Sequence, residues 1–332
     1  MIRRRSIALV AAAISAFAIS VASAEPLKLT VDYSAVPPHL TPAIFMKKDL
    51  LKHEGKSYTI NWVYTQGSSI VMQALASGEM NLGVLSPISF VNGIENAKLP
   101  FRAIADMVQD GPQFTAVYGV KADSPIKTVK DLKGKTIAVN AFGGAHDLAV
   151  RTMLKKNGLT PGKDVTVVEA KFPAMNAMVS QGKVDAATFI ANFWVQAKKK
   201  GDIRPLFTMK DALGDSQFLF WVATESEIKK NRAVLVDFFE DYLRAQRWFV
   251  DPANRNEALG MIAAFTKRPV AQFAWELDPK TGYFRSKDLR IDHKVFQSTI
   301  DTMYDTGFIK AKFNSEPYID ESIIKEAAAR LQ

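Results

Sequence analysis

The alternation of hydrophobic and polar positions near the start of the chain predicts a series of strand–loop–helix units. Residues 26–33 alternate apolar with polar side chains and predict a first strand, followed by a helix over residues 41–52. Residues 58–64 predict a second strand, and residues 70–77 predict the next helix. Strands that alternate with helices in this way are typical of α/β folds.

The loops after these strands begin with small polar residues that suit helix N-termini. Ser68 or Ser69 is predicted as the N-cap of the helix that follows the second strand. Residues 80–85 are apolar at nearly every position, which is typical of a buried parallel strand. Ser86 and Pro87 then form a favourable N-cap and N1 pair for another helix.

Two segments far apart in the chain share one pattern. Residues 73–85 and 177–189, aligned on Gly78 and Gly182, both read as apolar helix, glycine stop and strand. Together with the other strand–loop–helix units, this pattern predicts two lobes built on one βαβ plan. From Glu225 onward the chain is predicted to be almost wholly helical, with shorter helices near residues 256–265, 269–277, 293–305 and 320–331.

Residues 132–159, LKGKTIAVNAFGGAHDLAVRTMLKKNGL, are the stretch most suggestive of a binding site. Residues 136–139 predict a strand, a glycine-broken turn follows Asn140, and a helix begins near Asp147. Such a turn collects backbone N–H groups and the positive end of a helix dipole, which suits a small anion or polar ligand. A plain βα turn with glycines for geometry is the alternative that this stretch leaves open.

The first 24 residues have the pattern of an export signal. Arg3–Arg5 form a basic segment, residues 7–21 are apolar or small, and Ala22-Ser23-Ala24 is a small-residue cleavage site. The apolar run is shorter than the roughly 20 residues that a membrane span needs. We therefore expect cleavage after Ala24 and a soluble periplasmic protein.

Composition excludes several classes of site. The chain has no cysteine, so it has no lipid attachment at the cleavage point, no disulfide, no thiol catalysis and no cysteine metal site. The net charge of +9 is spread along the chain, and the densest cluster, Lys198–Lys200, lacks the interleaved aromatic residues of a nucleic-acid site. A mild positive field is compatible with an anionic ligand. We expect no nucleic-acid partner.

The sequence contains neither a catalytic signature nor a metal-binding signature. Gly134-Lys135-Thr136 resembles the end of a P-loop, but Val129 occupies the position of the required upstream glycine. The four histidines lack metal-ligand spacing, and we expect no metal and no cofactor. His39 and His146 follow predicted strands and are candidate ligand contacts. Asp147 has two interpretations. It is either a hydrogen-bonding partner, for His146 or for an amine of the substrate, or an acidic residue of the kind favoured at a helix start.

Several segments, in order, resemble the solute-binding receptors of bacterial ABC importers for nitrate, sulfonates and taurine. These are VDYSAVPPHLTPAIFMKKDLL, QGSSIVMQALASGEMNLGVLSP, SPIKTVKDLKGKTIAVNAFGGAH, LTPGKDVTVVE and QGKVDAATF. The resemblance covers residues 27 to about 225 and extends to the superfamily of thiamine-pyrimidine precursor proteins. It implies a two-lobe α/β type II periplasmic-binding fold, each lobe a mixed sheet flanked by helices. One lobe would be residues 25–115 with 222–332, and the other 116–221.

The resemblance also implies where a ligand would lie, in a cleft that closes by hinge motion. The contact positions that it implies are Tyr33, Ser34, Gly67, Ser68, Ser69, Ser86, Pro87, Phe114, Gly143, Gly144, Ala145, His146, Asn192, Phe193 and Trp194. Two segments depart from the family pattern. The usual Gly-Ser or Gly-Thr pair is replaced by residues 143–146, and a Trp-Glu-Pro type segment becomes residues 192–194, which points to a more aromatic cleft.

The binding free energy that a receptor needs narrows the class of ligand that we expect. Micromolar affinity requires about 8 kcal/mol, whereas each helix terminus contributes roughly 0.3–1 kcal/mol, or up to about 2 kcal/mol when partly buried. Burial of an apolar ligand portion against Phe142, Phe193 and Trp194 is expected to supply some of the rest. We therefore predict a small organic anion, a sulfonate or an aromatic or aliphatic carboxylate. Asn140 lies beside the turn and is included in the site. If His146 donates to the anion, His146→Ala should weaken binding at least tenfold.

The predicted partners are this anion and the membrane permease of an ABC importer, and the receptor is expected to be a monomer. A pyrimidine-precursor receptor, a nitrate receptor and a sensor-linked receptor remain alternatives. An enzyme of the same superfamily is the main rival class. Porphobilinogen deaminase, which shares the general fold, needs a cysteine for its cofactor, and the thiamine-pyrimidine synthases resemble a cysteine-rich pattern absent here. The prediction is therefore a binding protein and not an enzyme.

Overall fold

The computed structural model describes residues 25–34, 38–65, 67–278 and 280–331 of the 332-residue chain. The predicted export signal, residues 1–24, lies outside these described residues. Among the residues described, no helix combines the length and apolar character needed to cross a membrane.

Two small sheets are built from the first strands and one returning strand. β1 (Leu27–Tyr33) and β2 (Tyr58–Tyr64) pair in parallel, with Leu27 opposite Tyr58. A three-stranded sheet has the order β3 (Gly83–Leu85), β10 (Ser216–Thr224), β4 (Phe101–Asp110), and both pairings are antiparallel. The strands of this three-stranded sheet are largely buried, and most of their residues are apolar.

A five-stranded mixed sheet is formed by the middle of the chain. Its order is β7 (Thr166–Glu169), β6 (Thr136–Val139), β8 (Ala186–Phe189), β5 (Val117–Lys121), β9 (Ile203–Thr208). β6 runs parallel to β7 and β8, while β5 is antiparallel to β8 and β9. All five strands of this sheet lie between residues 117 and 208.

The helices flank these sheets. They are α1 (Thr41–Ile44), α2 (Ser68–Ser77), α3 (Pro87–Glu95), α4 (Ala145–Lys156), α5 (Phe172–Ser180), α6 (Ala191–Lys200), α7 (Met209–Leu213), α8 (Glu225–Phe249), α9 (Arg255–Thr266), α10 (His293–Asp305) and α11 (Ser322–Ala329). Short 3-10 turns span Lys48–Leu50, Val129–Leu132, Pro252–Asn254, Val270–Gln272 and Glu316–Tyr318. A smaller apolar cluster, separate from the main core, includes Met175, Val179 and Phe189 and packs against Phe193 and Trp194.

Three helix predictions are wrong in extent. The helix expected over residues 41–52 ends at Ile44 and is followed by a 3-10 turn, because Lys47 has a non-helical backbone with ψ 68°. The helix expected over residues 269–277 is only a 3-10 turn after Pro269. α4 begins at Ala145, two residues before the predicted start.

Two further predictions on the early units also need correction. Gly67, and not a serine, is the N-cap of α2, so the helix includes both serines. β3 is three residues long, shorter than the predicted 80–85, because the N–H groups of Asn81 and Leu82 donate to the carbonyl of Thr30 in β1.

Candidate functional site

A cavity of about 560 Å³ lies where loops from the different sheets meet. Its lining includes Asp32 and Tyr33 at the end of β1, Ser86 after β3, Asn140 after β6 and Ile190 after β8. Ligands of open α/β sheets bind outside the carboxyl ends of the strands, where the following helices begin. The cavity therefore occupies the position that the fold favours for a ligand.

Five helices begin at this cavity. Its lining contains Ser68 of α2, the N-cap Ser86 of α3, Ala145 of α4, Phe172 of α5 and the N-cap Ile190 of α6. Among the described residues, no side chain caps these five helices by a hydrogen bond at the N-cap. The N–H groups of their first two residues have no intrahelical partner, although Pro87 of α3 and Pro173 of α5 have no N–H. Each N-terminus carries the positive end of the helix dipole. The arrangement is suited to an anion.

Loops from two different sheets come close together at this point. A Cβ atom added to Gly67, before α2, would lie 4.0 Å from the Cβ atom of Ala141, which follows β6. Ser68 Oγ accepts a hydrogen bond from the N–H of Ser86 at 3.0 Å, and Ser86 Oγ lies 3.4 Å from Ser89 Oγ. These contacts fix the two serines of the α2 and α3 termini side by side on one wall.

The described lining contains one carboxyl group, that of Asp32. It is 1% exposed, with Oδ1 accepting from Val84 N–H at 2.7 Å and Oδ2 lying 3.2 Å from Thr65 Oγ1. Burial raises the pKa of Asp32 to about 8, against the lowering effect of these two hydrogen bonds. At pH 7 the group is therefore mostly neutral and does not repel an anion.

Two cationic side chains also line the cavity. Lys171 immediately precedes α5, and Arg268 follows α9. Both residues are exposed, and neither side chain has a hydrogen bond or ion pair with another residue in the described part of the chain. With Asp32 protonated, the lining has a net positive charge.

The remaining walls are largely aromatic. The rings belong to Tyr33, Tyr64, Phe172, Phe193, Phe218, Phe265 and Phe273. Tyr33 contacts Tyr64 and Phe265 with ring centroids 5.4 and 5.6 Å apart, and Phe172 stacks on Phe193 at 6.2 Å. These walls can bury an apolar ligand portion.

Ten of the residues predicted from the sequence line this cavity. They are Tyr33, Ser34, Gly67, Ser68, Ser86, Asn140, Gly144, Ala145, His146 and Phe193. Ser68, Ser86 and Ala145, which come from three different helix N-termini, thus face one space.

Four of the predicted positions lie outside the lining for reasons of packing. His39 is fully buried, its Nδ1 accepts from Ser34 N–H at 3.2 Å, and burial lowers its pKa to about 3. Phe114 packs on Trp275 and Tyr283 at 5.4 and 4.8 Å. Trp194 faces Phe189 at 6.3 Å, and Pro87 is buried in the first turn of α3.

The other predicted positions outside the lining belong to turns and helix surfaces. Phe142 is 50% exposed, and its ring lies 5.9 Å from the guanidinium of Arg151. Gly143 supplies a left-handed backbone conformation, φ 68°, that glycine adopts without strain. Ser69 lies on α2 beyond the lining, and the side chain of Asn192 is outside the description.

Asp147, a candidate partner of His146 or of an amine, has other partners. Its Oδ1 accepts from Arg151 Nε at 2.6 Å and its Oδ2 accepts from Gly143 N–H at 3.0 Å. The side chain is 3% exposed and does not line the cavity. Asp147 therefore stabilises the turn and the first part of α4.

Sequence reasoning missed several lining residues, chiefly Asp32, Lys171, Phe172, Phe218, Arg268 and Phe273. A carboxylate within an apolar alternating strand is a signal that could have identified Asp32. Arg268 and Phe273 come from the helical tail, and no local pattern there marks a site.

One cluster outside the cavity has metal-ligand chemistry. The ligand atoms of His53, Asp237 and Glu240 lie within 4.8 Å of one another. However, Arg330 pairs with Asp237 at 2.8 Å, and Arg244 pairs with Glu240 at 2.5 Å. Because the arginines already balance these carboxylates, the cluster is an ion-pair network.

Comparison with known proteins identifies the family. The family model described as "NMT1/THI5 like" matches residues 57–254. An Escherichia coli (strain K12) protein named for binding aliphatic sulfonates is 26% identical over 274 residues, which cover 80% of this chain and 79% of that protein. The taurine-binding periplasmic protein of the same organism is 24% identical over 239 residues, 71% of each chain.

Solved structures show the same fold. The periplasmic aliphatic sulphonate binding protein SsuA from Escherichia coli matches with a TM-score of 0.67, 22% identity and coverage of 89% of this chain and 92% of that chain. The periplasmic nitrate-binding protein NrtA from Synechocystis PCC 6803 matches with a TM-score of 0.71 and 15% identity, and the match covers 93% of this chain and 90% of that chain. The desulfurization enzyme DSZB matches with a TM-score of 0.65 and 14% identity, and the match covers 92% of this chain and 100% of that chain. At these identities the likeness establishes the fold alone.

Proposed function

The chain belongs to the NMT1/THI5-like family and has a periplasmic binding protein fold, and from this premise we propose that it is the solute-binding receptor of an ABC importer. In this proposal it captures a small organic anion in the periplasm and delivers it to a permease. Residues 25–115 with 222–332 form one lobe and residues 116–221 the other, and the ligand draws them together by hinge closure. The receptor acts as a monomer.

The convergence of five uncapped helix N-termini on one cavity is the observation that carries the proposal. At about 0.3–1 kcal/mol each, five termini supply a few kcal/mol toward the roughly 8 kcal/mol of micromolar affinity. Lys171 and Arg268, which have no ion pair with another described residue, add positive charge to the lining. The aromatic walls supply the apolar part of the binding energy.

The size and walls of the cavity support an organic anion over nitrate. A space of about 560 Å³ bordered by seven aromatic rings can hold a ligand with an apolar portion. The names of the two Escherichia coli relatives refer to aliphatic sulfonates and taurine. We therefore assign sulfonates or carboxylates with an aliphatic or aromatic portion as the ligand class.

The hydrogen bonds in the described lining support binding over catalysis. His146 Nδ1 lies 2.9 Å from Asn140 Oδ1, and the hydroxyls of Ser68 and Ser86 contact Ser86 N–H and Ser89. A nucleophilic serine would need a histidine or another base within hydrogen-bond reach. The described serines of the lining have no such partner, which favours a receptor.

Titration calorimetry on protein freed of ligand by unfolding and refolding tests the proposal. The probes are benzenesulfonate, benzoate and nitrate, with the neutral isosteres benzenesulfonamide and benzamide as controls. We expect at least one organic anion to bind at least tenfold more tightly than its neutral isostere. Equal binding of anion and isostere, or binding of neutral or cationic solutes alone, would contradict the proposal.

A further inference from the structure

His146 combines deep burial with a polar atom that has no partner. The residue lines the cavity and is 4% exposed. Its Nδ1 lies 2.9 Å from Asn140 Oδ1. Its Nε2 is buried and has no hydrogen-bond partner among the described residues. Buried polar side-chain atoms usually have a partner, so an orphan in a ligand cavity points to the ligand.

The contact with Asn140 decides which ring nitrogen carries the proton. Asn140 Oδ1 can only accept, so the 2.9 Å contact is a hydrogen bond only when Nδ1 of His146 is the donor. In a neutral imidazole the other nitrogen is then an acceptor. Burial lowers the pKa of His146 to about 4, which keeps the ring neutral at pH 7. In this tautomer Nε2 presents a lone pair, so it accepts a hydrogen bond and does not donate one to an anion.

The described rings that contact His146 offer no donor for Nε2. His146 lies edge-on to Phe172 and Phe218, each with ring centroids 5.4 Å away, and both phenylalanines also line the cavity. Neither phenylalanine can donate a conventional hydrogen bond to Nε2. Asp147, the nearest acid in sequence, is occupied by Arg151 and Gly143.

We propose that the ligand carries, in addition to its negative charge, a hydroxyl or N–H group that donates a hydrogen bond to Nε2 of His146. The inference rests on the proposed function, because it assumes that an anion occupies this cavity. It narrows the ligand class to hydroxylated or amino-substituted sulfonates and carboxylates. A site built to pair with a ligand O–H or N–H discriminates strongly against the analogue that lacks it.

Matched probes test this donor directly. We would measure by calorimetry the affinities of benzenesulfonate and of its 2-, 3- and 4-hydroxy, amino and methoxy derivatives. The methoxy compounds keep an oxygen of similar position but cannot donate. We expect at least one hydroxy or amino isomer to bind at least tenfold more tightly than both benzenesulfonate and its own methoxy counterpart.

Variants then assign the preference to His146. In His146→Phe the preferred isomer should lose its tenfold advantage over benzenesulfonate, and in His146→Gln the side-chain carbonyl should restore part of it. His293→Phe is the matched control, because His293 pairs with Glu316 and Glu321 and does not line the cavity. The advantage should be unchanged there. An advantage that persists in His146→Phe overturns the inference.

A measurement without a variant covers the case in which His146→Phe does not fold. Nitrogen-15 spectra of the imidazole rings should show His146 protonated on Nδ1 and bare on Nε2 in the unliganded protein. Protonation on Nε2 overturns the inference. If plain anions bind with no preference for donors, only this inference fails, whereas if no anion of either panel binds, the proposed function fails and this inference with it.

Discussion

The helices that begin at the cavity and several that begin elsewhere differ in how their first turns are satisfied. Thr208 caps α7, Thr224 caps α8 and Asp292 caps α10, each by accepting from first-turn N–H groups. The five described helices at the cavity, α2–α6, have no such cap. α1, α9 and α11 also lack a cap, so an open N-terminus alone does not mark a site. What marks the site is that five open N-termini meet at one cavity.

Among the described helices, three of the six that begin elsewhere have an acidic residue in the first turn, against one of the five at the cavity. The helix dipole stabilises a carboxylate in the first turn of a helix. The first-turn acids outside the cavity are Asp211 in α7, Glu225 and Glu227 in α8, and Glu257 in α9. Among α2–α6 only α4 has one, Asp147, and Arg151 pairs with it. The helices at the cavity thus carry little competing negative charge of their own, which leaves their dipoles for a ligand.

Placing a carboxylate at one of the open N-termini should have the largest effect. In Ser68→Asp the new side chain would occupy the amides of α2 and repel a bound anion. Two like charges about 4 Å apart at an effective dielectric of about 20 interact by about 4 kcal/mol. We expect the affinity for the best anion of the calorimetry panel to fall at least 100-fold.

Ser322→Asp is the matched control for this change. Ser322 is the first residue of α11 and bonds to Arg232, away from the cavity. It should add the same charge with no measurable change in affinity. Equal affinities of Ser68→Asp and the unmodified protein would show that the termini do not bind the anion.

Removal of one of the two exposed cations of the lining, Arg268, should have a smaller effect on anion affinity. Arg268→Gln deletes a guanidinium that lines the cavity, and we expect about a tenfold loss of affinity by calorimetry, smaller at high salt because exposed charges are screened. Lys267→Gln removes the neighbouring exposed cation, which is not in the lining, and should change the affinity less than twofold. Similar losses in both variants would indicate general attraction in place of a direct contact.

Asp32 makes the cavity sensitive to pH. Its pKa of about 8 means that a negative charge appears in the lining as the pH rises from 7 to 9, so the affinity for an anion should fall about threefold or more. Asp32→Asn should remove this part of the pH dependence. The folded-state pKa exceeds the unfolded value, so the stabilising contribution of Asp32 is complete below about pH 4 and is lost as the pH rises through 8. Parallel pH profiles in both proteins would contradict this role.

Removal of a cap from a helix that begins away from the cavity should have the smallest effect on anion affinity. Thr224→Ala removes the hydroxyl that accepts from Glu227 N–H at the start of α8. Loss of such a cap typically costs about 1 kcal/mol of the free energy of unfolding, which urea denaturation would measure. The anion affinity should stay within twofold. A loss of affinity as large as that of Arg268→Gln would undo the distinction between structural and ligand-binding N-termini.

The sequence predicts the strands better than the site. β1 and β2 follow from apolar alternation, and the positions after each strand follow from the rule that helices begin there. Phe142, Phe193 and Trp194 were all expected to face the ligand, but of these three only Phe193 lines the cavity, because within a turn or a helix a shift of one residue changes the face. Arg268 comes from a tail more than a hundred residues from β6, so only the tertiary fold brings it to the cavity.

The most direct test of the central claim is an amide NMR titration of the protein with the tightest-binding anion of the calorimetry panel. We expect the first-turn amide signals of α2–α6, such as those of Ser68, Ala145 and His146, to shift on binding, while those of α8 and α10 stay unchanged. Shifts confined to other regions of the described chain, with the amides of α2–α6 unmoved at saturation, would contradict it.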